Sequence, residues 1–290
     1  MVFITGDLGF QVFDEFRNTF PARFINAGVA EAQMIYAAAG LAKEGFRPIA
    51  YSIASFATGR PFEQIRYCLA YPNLPVVLVG AGRGYLYSTS GVSHHAPDDL
   101  GLMSILPGMT VVAPGDPVEV SSLLPQLLKI DGPSYFTVGK YGEAAYEAEE
   151  PPIVGKGRLL KRGSKIAVLS TGELGNELVR ALSILSAENI TPTAYQFHTI
   201  KPLDTDTLKK LSENYQAILI CEEHLPSGGL FSHVANWAVE NEIKTPIKRA
   251  GAPDQFMLGN LKQVDLRRNL GIDAEGIAQR VRQLWNRGSA

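Results

Sequence analysis

Two doubly wound α/β domains, each with a mostly parallel sheet, are what this chain of 290 residues predicts. Two observations carry that expectation. Short apolar runs alternate with helix-period stretches along the whole length, and the alternation is interrupted by an acidic, proline-ended stretch, EAAYEAEEPP, at 143–152. Strands separated by helices pair in parallel when helices cover both faces of the sheet, and such runs read as continuously apolar rather than alternating.

In the first half, runs at 2–5, 49–52, 76–79, 110–113 and 134–138 read as buried strands: each is four or five residues, rich in β-branched or aromatic side chains and bounded by Gly or Pro. Between them, 30–43 is an Ala-rich helix that stops at Gly45, a C-terminal cap. Two further helices are expected at 62–71 and 117–128, the second with Pro117 in a first-turn position that tolerates it. The acidic stretch is read as a linker at 143–156 between a first domain, 1–142, and a second, 157–290. There the alternation resumes, with strands at 166–170, 193–196 and 217–221 and helices at 173–186, 206–214, 230–241 and 273–287. Gly228-Gly229 before the third of these helices lets the backbone turn tightly and approach a neighbour. Ligands of such folds bind at the carboxyl ends of the strands, but the fold does not name the ligand.

Composition excludes several classes. Hydrophobic residues are 46% and charged residues 19%, as in a well-packed globule, and the net charge of −2 gives no electrostatic case for nucleic acid or membrane surfaces. Cys68 and Cys221 form no CxxC pair, so neither a disulfide framework nor a zinc site is suggested. The first ten residues do not read as a signal peptide, and no apolar stretch reaches the roughly 20 residues a membrane span needs. A cytoplasmic protein is expected.

Four segments, in order, carry a resemblance: Arg23-Phe24-Ile25-Asn26-Ala27-Gly28-Val29-Ala30-Glu31; 48–66 with Ser55-Phe56 and Glu63-Gln64-Ile65-Arg66; Gly91-Val92-Ser93-His94-His95 followed by Asp98-Asp99-Leu100; and Leu106-Pro107-Gly108-Met109-Thr110-Val111 followed by Ala113-Pro114-Gly115-Asp116. Together they resemble the pyrimidine-binding domain of the thiamine-diphosphate enzymes of the transketolase and deoxyxylulose-phosphate synthase family. The second half resembles that family's C-terminal domain through Ser170-Thr171-Gly172-Glu173, Ile200-Lys201-Pro202-Leu203-Asp204 and Glu222-Glu223-His224 before Gly228-Gly229.

The resemblance implies thiamine diphosphate as cofactor and Glu31 as the carboxyl that activates it, by hydrogen-bonding the pyrimidine ring nitrogen. A carboxyl in that role shares a proton, so an apolar pocket that favours its protonated form is expected. For an isolated glutamate at the head of an apolar helix the alternative is simple complementation of the helix dipole. Phe56 matches the aromatic that stacks on the pyrimidine, with a core phenylalanine as the alternative. Ile53 and Arg60 are further cofactor-binding candidates. His94 matches the histidine that reaches substrate, where an imidazole can donate to a developing oxyanion or relay a proton. His95, Ser90, Arg83 and Lys140 are the other substrate-binding candidates. No metal site is expected on this chain, since the adjacent side chains of His94 and His95 diverge. His198, His224 and His233 match no motif role and are read as surface or packing residues.

What does not match is informative. Relatives hold the diphosphate through Mg2+ bound by a Gly-Asp-Gly…Asn motif. Gly6-Asp7-Leu8-Gly9 has the wrong third residue, and the chain opens without the usual helix before the first strand. A complementary diphosphate-binding subunit is therefore expected to supply the Mg2+ ligands, in an α2β2 heterotetramer. Near the substrate, the position where transketolases carry a histidine is Gly82, an acidic position is Ser90, and an expected arginine appears as Lys140, a point charge instead of a fork. A phosphosugar pocket is thus in question, and the tyrosine-containing loop 82–91 suits another acceptor, such as a keto sugar carried on a nucleotide. The expected activity is transfer of a two-carbon ketol unit from a ketose to an aldehyde or keto-sugar acceptor. The β subunit of a 2-oxoacid dehydrogenase or decarboxylase, and a non-catalytic stabilising partner, are the alternatives.

Overall fold

The computed structural model describes residues 1–140 and 142–287. Six strands of the first half pair in parallel: β1 (Val2–Thr5), β2 (Phe24–Asn26), β3 (Pro48–Ile53), β4 (Val77–Ala81), β5 (Thr110–Val112) and β6 (Ser134–Val138), in the spatial order β5-β6-β4-β3-β1-β2. One face carries α2 (Glu31–Lys43), α3 (Ala54–Gly59) and α5 (Asp99–Ser104), and the other α1 (Asp14–Thr19) and α6 (Pro117–Leu127). Helix α2 forms because its Ala-rich sequence loses little side-chain entropy and sets Met34, Ile35, Ala38, Ala39 and Ala42 along one buried stripe. Met34 and Ile35 are fully buried, each contributing about 1.5–3 kcal/mol. It ends where Gly45, at φ +86°, donates its N–H to the Ala42 carbonyl.

The second sheet contains β7 (Arg158–Lys161), β8 (Ile166–Ser170), β9 (Thr193–Gln196), β11 (Ala217–Glu222) and β12 (Ile247–Gly251) in the order β12-β11-β8-β9-β7, with β7 antiparallel and the rest parallel. Helices α7 (Leu174–Ser186), α8 (Thr205–Asn214), α9 (Leu230–Glu240), α10 (Gln263–Leu270) and α11 (Ala274–Arg287) accompany it. The two α/β units with mostly parallel sheets are as expected.

The two halves are more entwined than a linker reading implies. Strand β10 (Thr199–Lys201) comes from the second half yet pairs antiparallel with β5, so the first sheet has seven strands. An edge strand presents unpaired N–H and C=O groups, and β10 covers them. Lys201 Nζ seals the junction by donating to the carbonyls of Ser104 and Leu106 at 2.9 and 2.7 Å. A buried polar tie joins the halves elsewhere: Tyr135 donates to Asp99 Oδ2 at 2.7 Å, and His224 Nε2 lies 3.0 Å from Asp99 Oδ1. His224 and His198 are thus packing residues, both buried. The stretch 62–71, read as one helix, is α4 (Phe62–Gln64) running into a π-helical turn, Ile65–Ala70. Among the described residues, no helix is long and apolar enough to cross a membrane.

Helix α6 shows how capping links the halves. Asp116 accepts from the Glu119 N–H at 2.8 Å, Glu119 reaches back to the Gly115 N–H at 2.6 Å, and Arg158 of β7 pairs with Glu119 at 3.1 Å. Burial pushes Glu119 from 4.5 up to about 7, against the lowering effect of the Gly115 N–H and Arg158. Burial and a hydrogen bond with Glu173 push Glu143 likewise to about 7. An acid whose folded value is raised contributes stability present below its unfolded value and lost as pH rises through the folded one. Glu119 and Glu143 should therefore pull the urea midpoint down between about pH 4.5 and 7, against the rise that His198, held by burial at about 3, contributes up to 6.5. Glu119→Gln should remove its share of that downward pull in a pH series of urea melts; an unaltered profile would assign it elsewhere.

Candidate active site

Because β1 to β6 are parallel, their carboxyl ends share one edge, and the sequence-predicted residues collect there. Glu31 opens α2 after β2, Phe56 sits on α3 after β3, His94 lies in the loop after β4, and Lys140 follows β6. Glu31 is 6% exposed, and Arg60 Nη1 donates to its two oxygens at 3.0 and 3.2 Å. The guanidinium carbon of Arg60 lies 3.9 Å from the centre of the Phe56 ring. The Phe56 and His94 rings are 5.0 Å apart at 62°, the Tyr87 and His94 rings 5.9 Å apart, and Lys140 Nζ is 4.1 Å from the Tyr87 ring centre. Glu31, Arg60, Phe56, His94, Tyr87 and Lys140 thus form one continuous run of contacts. The expected apolar surround of Glu31 is corrected by the structure: a guanidinium faces the carboxyl.

His94 is anchored through Nδ1, 3.0 Å from Ser93 Oγ, and Ser55 Oγ in turn donates to the Ser93 carbonyl at 3.1 Å. The other candidates are placed differently. His95 is buried, with Nε2 3.2 Å from the Ser88 carbonyl and its ring edge-on to Tyr85. Ser90 is exposed at the end of a 3-10 turn. Arg83 is 2% exposed: its Nη1 donates to the Thr137 carbonyl at 3.1 Å, and its charge acts on Glu143 and Glu173. The structure does not bring Arg83 or His95 into the run. Ile53, at the end of β3, lines with Tyr87 and Lys140 a largely apolar trough of 570 Å³ whose walls include Phe13, Tyr51 and Phe136. Burial and the nearby Tyr87 push the Tyr51 phenol up to about 12.

Two features escaped the sequence reading. Asp7, at φ +59°, accepts from Asn26 Nδ2 at 2.9 Å, and Asn26 Oδ1 accepts from the Gly28 N–H at 2.9 Å, so this pair shapes the turn that leads into Glu31. A signal existed in Asn26 itself, a polar residue before Gly28, but its meeting with Asp7 depends on the Thr5–Asn26 register of β1 and β2. Tyr87 carries no mark of its own in the sequence beyond its place in the loop 82–91.

The first half, residues 2–141, matches the transketolase pyrimidine-binding domain, and residues 155–277 match the transketolase C-terminal domain. A putative transketolase C-terminal section of Methanocaldococcus jannaschii is 36% identical over 269 residues, spanning 92% of this chain and 84% of that one. The chain belongs to the transketolase family. A solved structure described as a split gene transketolase, inactive beta4 tetramer, superimposes with a TM-score of 0.88 at 30% identity, covering 98% of this chain and 91% of that one. The 1-deoxy-D-xylulose-5-phosphate synthase of Dechloromonas aromatica is 34% identical over 267 residues, but the match covers 91% of this chain and only 42% of the synthase.

The pyrimidine-binding domain of this transketolase-family chain implies thiamine diphosphate, and the residues present fit it. Arg60 supplies the test: one flat, hydrogen-bond-donating group lies on Phe56 and donates to Glu31 at the same time. An aminopyrimidine is also flat and offers hydrogen-bonding edges, so the same two side chains suit it. Among the described residues, no group of three or more His, Cys, Asp or Glu is placed to hold a metal ion.

Proposed function

We propose that this chain is the pyrimidine-side subunit of a split transketolase, transferring a two-carbon ketol unit from a ketose donor to an aldehyde or keto-sugar acceptor. A partner chain supplies the diphosphate and Mg2+ ligands, in an α2β2 assembly. The observation that supports this best is the shared approach of Glu31 and Phe56 to one flat group. Thiamine diphosphate supplies, when bound, the electron sink that lets the ketose C2–C3 bond break.

The chain's own side chains divide the remaining tasks. Glu31 holds a proton at the pyrimidine ring nitrogen, and Phe56 presents an aromatic surface to that ring. Arg60 must release Glu31 first. Its side chain is 55% exposed, so the released guanidinium finds water, while the buried Glu31 carboxyl exchanges one hydrogen-bonding partner for another. His94, anchored through Nδ1, keeps Nε2 for the oxygen of donor or acceptor, where it moves a proton. Lys140 places a positive charge beyond Tyr87.

The direct test is calorimetric titration of thiamine diphosphate with Mg2+ into the chain alone and into the reconstituted complex. Binding is expected in the complex and not in the chain alone; tight Mg2+-dependent binding to the lone chain would remove the split half-site. A second expected result concerns His94. His94→Asn should lower kcat/KM for ketol transfer by about a hundredfold, with the thiamine diphosphate Kd nearly unchanged. A loss of less than threefold would take the proton-transfer role from His94.

A further inference from the structure

We propose that Tyr87 is the specificity-determining wall of the acceptor site, selecting short, unphosphorylated hydroxyaldehydes and hydroxyketones over sugar phosphates. The proposal rests on the ketol-transfer reading above and deepens it.

The wall arises from a vacant side-chain position. Gly82 follows β4 with φ +82°, and a Cβ built there would fall on the Tyr87 ring. The phenol from five residues downstream therefore occupies the space a side chain at 82 would take. Its neighbours include three groups: Gly82 lies beneath it, His94 lies 5.9 Å away ring to ring, and Lys140 Nζ is 4.1 Å from its centre. The loop around it is closed by successive turns, Leu86 N–H to Arg83 carbonyl at 3.1 Å and Ser88 N–H to Tyr85 carbonyl at 2.9 Å. The ring thus stands in a turn-closed loop, half-buried between Gly82, His94 and Lys140.

Its position bears on the acceptor because it stands next to His94 at the carboxyl edge of the sheet. Charge points the same way. A phosphate needs a cation that can turn toward it, ideally an arginine fork. Arg83, in the same loop, is instead buried, donating to the Thr137 carbonyl and balancing Glu143 and Glu173. The exposed Lys140 ammonium, 4.1 Å from the Tyr87 ring centre, is a point charge and not a fork. A short neutral acceptor needs neither cation.

The experiment compares acceptors in the complex reconstituted with its partner, using L-erythrulose as donor. The quantity read is the initial-rate kcat/KM for ribose 5-phosphate divided by that for D-glyceraldehyde, a short unphosphorylated acceptor that differs from the glycolaldehyde the donor releases. Tyr87→Ala should raise that ratio by about tenfold or more, the scale on which pocket sterics discriminate. Tyr87→Phe keeps the ring and should keep the wild-type ratio. The Lys140 side-chain proton shifts should move in Tyr87→Ala, as the ring current is lost, and stay in Tyr87→Phe. An unchanged ratio in Tyr87→Ala overturns the proposal, as does an equal rise in Tyr87→Phe, which would assign selection to the hydroxyl. Donor consumption without acceptor separates the two levels. If the wild-type complex consumes the donor and the ratio stays fixed, only the role of Tyr87 falls. If it consumes none, the ketol-transfer reading falls and this proposal with it.

Discussion

Glu31→Gln should reduce ketol transfer by about a thousandfold, within the usual range for loss of a positioned acid–base group, and leave the fold intact. Glutamine keeps the shape of the side chain and can still hydrogen-bond, but it cannot give or take a proton at the pyrimidine nitrogen. The structural cost is small by comparison. The substitution removes a charge partner from Arg60, but the Arg60 side chain is 55% exposed and can turn to water. Losing the pair is offset by no longer burying a carboxylate charge, so the expected change in stability is under about 1 kcal/mol. Buried charges lacking a partner are costly, and this variant creates none. Two measurements decide it: steady-state transfer by the reconstituted complex, and urea melts of the chain. Transfer above a tenth of wild type would dismiss Glu31 as the activating carboxyl. A large stability loss would show that the residue is structural, as a helix-dipole glutamate would be.

Arg267→Met should be the most destabilising single change outside the hydrophobic core, costing about 3–5 kcal/mol, as is usual when one member of a buried charge network is removed. Arg267 on α10 is 9% exposed and serves carboxylates from separate elements: Glu173 at 2.7 Å, Glu177 at 3.5 Å and Glu223. Burial works against its charge, but Glu223 and Glu173 more than restore it, raising its pKa. Burial also opposes ionisation of Glu173, yet the hydrogen bond from Glu143 and the charges of Arg83 and Arg267 hold it down to about 2. Gln263 adds hydrogen bonds to Glu173 and Glu223, and Glu223 in turn accepts from the Tyr85 N–H of the first half. Methionine fills much of the stem volume but leaves the carboxylates facing one another. They would respond by taking up protons, so the loss should be smaller near pH 5 than at pH 8. The sign follows from linkage: in the variant the folded carboxyls are raised above their unfolded values, and such groups lose stability as pH rises. A loss below 1 kcal/mol, or one independent of pH, would mean that water already solvates the cluster.

Much of the architecture could be read from local pattern. Strands β1, β3, β4, β5, β6, β8 and β11 are short, mainly apolar and largely buried runs, and such runs leave a mark that needs no knowledge of neighbours. The strands that were missed lack it. Strand β2 is partly exposed at a sheet edge, β12 carries Lys248 and Arg249, and β10 is three residues long. Each is a strand because an adjacent edge offers hydrogen bonds, a fact of tertiary placement. Strand β7 similarly depends on β9, and the short helices α1, α3, α5 and α10 offer too few turns for a period to emerge.

For the site, the sequence alone singled out Glu31, Phe56 and His94 as candidates, since each lies in a segment whose order and spacing resemble the family. It determined the chemical types available and the parallel-sheet frame that gathers them at one edge. Tertiary structure decided how they meet. The Glu31–Arg60 pair joins residues 29 positions apart, and its guanidinium also covers Phe56. Tyr87 fills the space above Gly82, while Arg83 turns inward to the Thr137 carbonyl on β6. The physical reason is a difference in range. Burial period and turn chemistry are written within a few residues, whereas side chains from successive strand-end loops meet only once strand register has set their separation.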